Sequence, residues 1–248
     1  MSAYETFASV YDLFMEQVEY DEWLDHIHAV WKKYGITPKT ILDLGCGTGS
    51  ILLPLAQEEA EYCRVDLSPE MLTEADHKAM EAGVSVRLAC QDMTELDLGE
   101  QADCILSLCD CMNYLIEGDV DAIPFQSIAA HMKKESLFLF DMNTEYKFRE
   151  VLGQKVFGAA EEAAAYIWEN DYDEEEKINE YYVSFFIEQE NGLYERVEEY
   201  HYERAYSIEE IEQTLQAAGL ALLEVTDGYS FAKPHEKSER LLFAARLK

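Results

Sequence analysis

Apolar and polar positions along the chain follow two different rhythms. Between residues 40 and 142, short apolar runs bounded by turn residues alternate with stretches of helical period. The runs TILDLG (40–45), EYCRVD (61–66), VSVRLAC (84–90), ADCILSLC (102–109) and SLFLFDM (136–142) predict five strands. Helices are predicted over 50–58, from Ser68 onward, and over about 119–132. Near-continuous apolar runs alternating with helices are the pattern of a parallel sheet covered on both faces. Ser68, Pro69 and Glu70 supply an N-cap, an N1 proline and a first-turn acid, which satisfy or avoid the orphan amides of a helix start. Ahead of this region, residues 2–34 are amphipathic and predict an N-terminal helical cap over 1–35.

From about residue 159 the rhythm becomes that of long, aromatic and β-branched strands: AYIWENDYD, INEYYVSFFIEQE and LYERVEEYHYERAY. They predict an antiparallel meander inserted over 159–206, with Asn191-Gly192 as a hairpin turn because both residues tolerate positive φ. Its aromatic face is expected to carry Tyr166, Trp168, Tyr172, Tyr181, Phe185 and Tyr202. SIEEIEQTLQAAGL then reads as a helix with a Ser207/Glu210 capping box and a Gly219 stop, before closing strands near 220–227 and 240–247. The expectation is one α/β domain over 1–248, a seven-stranded mostly parallel sheet with helices on both faces, interrupted by a small antiparallel sheet.

Composition narrows the function. With 51 acidic against 19 basic side chains the net charge is -32, and no basic cluster exists to bind phosphates, so nucleic acid is not the expected partner. No run approaches the roughly 20 apolar residues of a membrane helix. The start MSAYETFASVYDLFMEQ lacks a secretory or transit pattern, and the cytoplasm is the expected location. All six cysteines fall between 46 and 111, in strands or at their ends, and read as buried thiols rather than bridges. Cys109 and Cys111 lack the C-x-x-C spacing, and no metal site is expected.

The chemistry concentrates where the first strand meets the next segment, in Asp43-Leu44-Gly45-Cys46-Gly47-Thr48-Gly49. A parallel sheet offers its ligand crevice at such a junction, and glycines let backbone pass close to a ligand. The spacing is D-x-G-x-G-x-G. A dinucleotide fingerprint would need its third glycine at position 50, where Ser50 stands, so a nicotinamide oxidoreductase is the disfavoured reading. Asp66 closes the second strand, suitably placed to accept hydrogen bonds from both hydroxyls of a ribose. A nucleoside without a pyrophosphate is thus implied.

ILDLGCGTGS resembles the first motif of the class I S-adenosylmethionine-dependent methyltransferases, and the later segments agree in order over residues 36–145. The resemblance implies a Rossmann-like sheet with an antiparallel last strand, S-adenosylmethionine as cofactor, and methyl transfer to a small-molecule acceptor, an amine among the candidates. It also implies site residues. Gly45, Cys46, Gly47 and Gly49 would pass the methionine part, with Asp43 near its amino group. Asp66 would take the ribose, Leu67 the adenine face, and Met71 or Leu72 its flank. Asp92 would accept from the adenine amine while the Met93 amide serves a ring nitrogen. The N-terminal YETFASVYDLF resembles a segment that folds over the cleft, with Tyr11 in it, or serves as an aromatic anchor.

Cys109-Asp110-Cys111-Met112-Asn113-Tyr114 occupies the family's catalytic-face position but is neither the Asn/Asp-Pro-Pro-Tyr nor the Pro-Cys of base-methylating enzymes. Cys109 joins the cleft list. Asp110 and Tyr114 are candidates for proton removal, Asn113 either orients substrate or caps a turn, and Asp141 either reaches the cleft or ties down a loop. In-line displacement from a sulfonium demands alignment before it demands a base, so no catalytic residue is assigned. The meander, with 18 acidic against 3 basic side chains over 159–213, is expected to lie over the substrate side, to draw in a cation, and to offer a surface for a homodimer. The alternative is a non-catalytic S-adenosylmethionine-binding protein that uses the acidic lid to engage a partner.

Overall fold

A computed structural model describes residues 8–15, 18, 20–51, 53–55, 60–116, 125–161, 163–189 and 191–248. The strands of the first region are β1 (Thr40–Leu44), β2 (Glu61–Asp66), β3 (Arg87–Cys90), β4 (Ala102–Ser107) and β5 (Met132–Asn143). Two closing strands, β10 (Leu220–Asp227) and β11 (Arg240–Leu247), complete a seven-stranded sheet in the order β10-β11-β5-β4-β1-β2-β3. β11 runs antiparallel to both neighbours and all other pairings are parallel.

Period-2 alternation distributes each strand between two cores. In β5, Phe138 and Phe140 enter one core with Phe125 and Ile128 of α4 (Phe125–Ala130) and with Ile211 and Leu215 of α5 (Ile208–Ala217). Leu137 and Leu139 enter the other with Leu24, Ile27, Val30 and Trp31 of α2 (Tyr20–Tyr34). Each such fully buried side chain contributes roughly 1.5–3 kcal/mol. Among the described residues no helix is long and apolar enough to cross a membrane.

Several boundaries differ from the sequence expectation. The predicted helix at 50–58 lies partly outside the described residues, and those described form turns with one α-type bond, Leu53 N to Gly49 O at 3.1 Å. Of the helix expected over 119–132, the described residues form α4 only as far as Ala130, and Met132 already begins β5. The third strand begins only at Arg87, because Gly83 at φ 68° and the segment after it leave α3 (Pro69–Glu81) by a turn. α3 itself starts as expected, Ser68 Oγ accepting from Met71 N at 3.2 Å. The α5 capping box also forms, Ser207 N donating to Glu210 Oε2 at 2.7 Å.

The second sheet is a meander of β6 (Val156–Ala160), β7 (Ala164–Asp173), β8 (Ile178–Glu188) and β9 (Tyr194–Arg204), all antiparallel. A π-helical turn at Lys147–Leu152, which has no periodic signature of its own, joins it to β5. Asn191-Gly192 does not form a two-residue turn. The connection runs from 189 to 193, Gly192 takes a positive φ (75°), and Asn191 Oδ1 accepts from Leu193 N at 2.9 Å.

The aromatic face also needs correction. Tyr172 and Tyr181 are buried with Phe148 and Leu152 of the π-helical turn, Trp168 packing beside them. Tyr166 and Phe185 meet Phe14 of α1 (Ala8–Met15), with ring centroids 4.8 and 6.2 Å away. Tyr202 instead lies on the outer face, because the alternation of β9 turns Glu199, His201 and Glu203 inward and leaves Tyr200 and Tyr202 exposed.

Candidate active site

The carboxyl ends of β1, β2, β3 and β4, with the loops that follow them, enclose a cavity of about 620 Å³. Gly45, Gly47 and Gly49 have φ of 69°, 53° and 74°, a region closed to most side chains, and each has its own reason to be glycine. A Cβ at 45 would lie 2.5 Å from Cys111 Sγ. One at 49 would lie 2.5 Å from Arg64 Nη1. One at 47 would meet no protein atom within 4 Å and would point into open space. Gly47 therefore leaves room for a ligand, while Gly49 leaves room for an arginine.

Asp66 fixes this loop. Its carboxylate accepts from Gly47 N at 2.7 Å and Ser68 N at 2.9 Å, so the acid that ends β2 also shapes the turn after β1. Burial outweighs those amides and raises its pKa. Burial likewise lifts Asp43 to about 7, against the Arg64 guanidinium, which lowers it, while Asp66 raises it further. Arg64 is fully buried, pairs in register with Asp43, and none of its three side-chain nitrogens has a hydrogen-bond partner among the described residues. Asp92 lines the cavity and also caps the turn Met93–Glu95, Oδ1 accepting from Thr94 N at 2.8 Å.

The N-terminal helix α1 covers the loop through polar contacts. Asp12 Oδ1 accepts from Thr48 Oγ1 at 2.7 Å and Ser50 Oγ at 2.8 Å, and Asp12 pairs with Lys78. Burial raises the Asp12 pKa, but Lys78 and the two hydroxyls outweigh it and hold the group low. One residue earlier, Tyr11 lines the cavity with its hydroxyl 3.9 Å from Cys109 Sγ.

After β4 the chain turns through two consecutive non-glycine residues at positive φ, Cys109 (63°) and Asp110 (57°). Such backbone costs on the order of 1–3 kcal/mol per residue and persists where surroundings enforce it. Here Asp110 N donates to Asp141 Oδ1 at 2.7 Å, and the two carboxylates share Arg240, each at 2.8 Å. Tyr229 also donates to Asp141, at 2.7 Å. Asp110 thus serves the fold rather than the cavity, which it does not line. Burial raises its pKa, but Arg240 and Lys147 overcome that and keep it low. Asp141, fully buried, ties down the loop. Asn113 neither caps nor faces the cavity: it brackets Asn143 through N and O at 2.9 and 3.1 Å and donates to Arg204 O at 2.9 Å. Burial pushes the Cys109 and Cys111 thiols up, Asp110 adding to this at Cys109, so neither presents a thiolate. All six cysteines are free, but only Cys63 and Cys104 are buried and Cys90 is exposed.

The cavity brings together Tyr11, Asp43, Gly45, Cys46, Gly47, Asp66, Leu67, Met71, Asp92, Met93 and Cys109; Gly49, and Leu72 as the alternative to Met71, do not line it. Tyr114 is on the wall, whereas none of the six lid aromatics is. Sequence reasoning missed Tyr20, Thr48, Gln91 and Ile116 as wall residues. Nothing distinguishes Tyr20 from the other apolar positions of an amphipathic helix, whereas Thr48 could have been found from its place inside the glycine motif.

The sheet order and the glycine loop are those of a Rossmann-like α/β fold, with acids at successive strand ends along its ligand crevice. A methyltransferase domain model matches residues 41–135. Over 98% of this chain and 99% of its own length, a protein of Geobacillus sp. (strain WCH70) named as a methyltransferase is 36% identical. A protein of Bacillus subtilis (strain 168), also named as a methyltransferase, is 35% identical over 98% of this chain and 96% of its own. The crystal structure of an S-adenosylmethionine-dependent methyltransferase from Clostridium acetobutylicum ATCC 824 superposes with a TM-score of 0.88 at 35% identity, covering 99% of each chain. The chain belongs to the S-adenosylmethionine-dependent methyltransferases. Its activity is transfer of the sulfonium methyl group of that cofactor.

Proposed function

We propose that this protein methylates a small-molecule amine by in-line displacement, holding S-adenosylmethionine in the cavity along the ends of β1 to β4. The observation that carries this reading is the combination of an open space at Gly47 with the buried Asp43 and the half-buried Asp66 on one wall. The residues fit such a group: backbone free to approach, carboxylates for an ammonium and a ribose, and the apolar Leu67 and Met71 for a base. Asp66 takes the ribose hydroxyls, Asp43 the amino group, Asp92 and the Met93 amide the adenine edge, and Leu67 and Met71 its faces. Gly45, Cys46 and Gly47 run beside the methionine part, Cys109 closes the far wall, and Tyr11 covers the opening from the N-terminal cap over 1–35. Gly49 supports the loop from below over Arg64.

The cofactor supplies an electrophilic methyl carbon bound to a good, neutral leaving group. The protein's own work is to align, to exclude water and to admit the acceptor. The acidic sheet over 159–206 acts as a lid that favours a cation, through its excess of 18 acidic over 3 basic side chains in 159–213. Calorimetry with S-adenosylmethionine and its demethylated product is expected to give dissociation constants on the order of micromolar, about -8 kcal/mol. Methyl-labelled cofactor with a cell metabolite extract is then expected to place label on a cationic amine. Binding of NADH in place of either ligand would overturn the cofactor assignment, and label found only on neutral or anionic products would overturn the amine.

A further inference from the structure

β1 and β2 share one layer that does not suit the interior of a parallel sheet. In register, Ile41 and Tyr62 enter the core beneath α2, and one layer nearer the carboxyl ends the same face carries Asp43 beside Arg64. The two are 5% and 0% exposed. Opposite charges buried together ordinarily bond to one another, because taking either from water is costly unless hydrogen bonds replace the solvent. Here they do not bond. None of the three Arg64 side-chain nitrogens has a partner, and among the described residues no hydrogen bond reaches the Asp43 carboxylate.

The glycine loop separates the surroundings of the two. Gly49 lies on the guanidinium, since a Cβ there would come within 2.5 Å of Nη1 and 3.0 Å of Cζ, and the cavity that Asp43 lines does not include Arg64. The arginine acts on its neighbours through charge alone. Among the described residues, the ionisable groups that face Asp43 are Arg64 and Asp66 of β2, and the thiols of Cys46 in the loop and Cys63 on β2; β4 sets the uncharged Leu106 in register with it. Burial pushes both thiols up, which leaves Arg64 as the one cation of the group. Burial raises the Asp43 pKa most, Arg64 pulls it down, Asp66 adds a smaller rise, and the balance falls at about 7.

We infer that Arg64 is a positioning residue for the cofactor: from behind the glycine loop it holds Asp43 as a carboxylate for the cofactor's ammonium without occupying that carboxylate itself. The inference rests on the cofactor reading above and deepens it. A direct hydrogen bond from Arg64 would ionise Asp43 but also fill its lone pairs. With no cation behind the loop, burial would leave Asp43 protonated at neutral pH, and an ammonium would meet no charge. The unbonded guanidinium avoids both outcomes. Its benefit has a definite range, because Arg64 also repels the ammonium: it helps binding where Asp43 would otherwise hold its proton, and helps no longer at higher pH. An arginine retained only for packing has no such pH signature.

Carbon-13 titration of the Asp43 carboxyl in the ligand-free protein reads the effect directly. Arg64→Met is expected to raise the Asp43 midpoint by about one pH unit or more, and Arg64→Lys, which keeps the charge, to leave it within about half a unit of wild type. An unmoved midpoint in Arg64→Met would overturn the inference. Calorimetry with S-adenosylhomocysteine reads the consequence: Arg64→Met is expected to bind about tenfold more weakly than wild type near pH 6.5, the deficit closing as the pH is raised to about 8.5. A deficit of equal size at both pH values would mark packing rather than charge and would overturn it too. Should Arg64→Met not fold alone, a second pair decides. Asp43→Asn leaves the buried guanidinium without its acid, so adding Arg64→Met to Asp43→Asn is expected to raise the melting temperature, and a further fall would contradict the assigned role. Failure of the wild type to bind S-adenosylhomocysteine at any pH would instead defeat the underlying cofactor reading, leaving the carbon-13 midpoints to decide the role of Arg64 separately.

Discussion

The glycine loop after β1 and the inner face of β9 both bury charge, but they arrange it in opposite ways. At the loop, Asp43, Arg64 and Asp66 occupy neighbouring strands within two dozen residues, and backbone amides of the loop itself take up the Asp66 carboxylate. On β9, Glu199 and His201 meet each other two residues apart, while His201 and Glu203 also reach partners across the molecule, Tyr114 and Asn143, 87 and 60 residues away. The comparison teaches that the glycine-loop end of the cavity is a local device, built by one turn, whereas the surroundings of Tyr114 exist only after two sheets have docked.

The sharpest way to break that picture is to remove the charge on which the docking stands. Arg240→Met leaves Asp110 and Asp141 buried without their shared partner and is expected to cost about 3–5 kcal/mol, read as a lowered denaturant midpoint. A loss below about 1 kcal/mol would mean that the cluster does not hold the β4 turn. A smaller effect separates the glycines. Gly49→Ala, at positive φ and against Arg64, is expected to destabilise the protein by roughly 2–3 kcal/mol. Gly47→Ala meets only open space and is expected to weaken cofactor binding more than folding. Equal losses of stability and binding in both variants would erase the distinction.

Proton linkage at Asp43 gives a milder signal. Its folded pKa of about 7 lies above its ordinary value of 3.8, so the native state holds the proton and stability from this group falls as pH rises between those values. An ammonium bound at Asp43 favours the ionised form. Affinity for S-adenosylhomocysteine is therefore expected to rise about tenfold between pH 5.5 and 7.5 by calorimetry, and the rise to vanish in Asp43→Asn. A flat profile in the wild type would remove Asp43 from the ammonium site. The smallest effect belongs to the outer face of β9, where Tyr202→Ser is expected to change stability by less than about 0.5 kcal/mol in a thermal melt.

The same contrast explains what could be read from sequence. The glycine spacing, Asp66 at a strand end and the Ser68 cap are short-range signals, and the structure brings all but Gly49 of the site residues inferred from them to one cavity wall. Gly49 lies off that wall against Arg64, a contact that no local spacing announces before β1 and β2 are paired. Asp110 and Asn113 were candidates for chemistry because they sit at the right strand end, but their partners Arg240, Asn143 and Arg204 lie far along the chain. Tyr202 faces outward because the charged positions of β9, rather than its tyrosines, take the inward side, which aromatic content alone does not reveal. The E-x-H-x-E alternation of Glu199, His201 and Glu203 was visible all along, and only the docking of β9 shows that it points inward.

One calorimetric series tests the division between the two ends of the cavity most directly: titration of S-adenosylhomocysteine into the wild type, Asp66→Asn and Tyr114→Phe under one set of conditions. The account predicts that Asp66→Asn loses about 1–3 kcal/mol of binding, since the ribose hydroxyls lose a charged acceptor, while Tyr114→Phe stays within twofold of wild type. An unchanged affinity in folded Asp66→Asn, or a loss in Tyr114→Phe as large as that expected for Asp66, would contradict it.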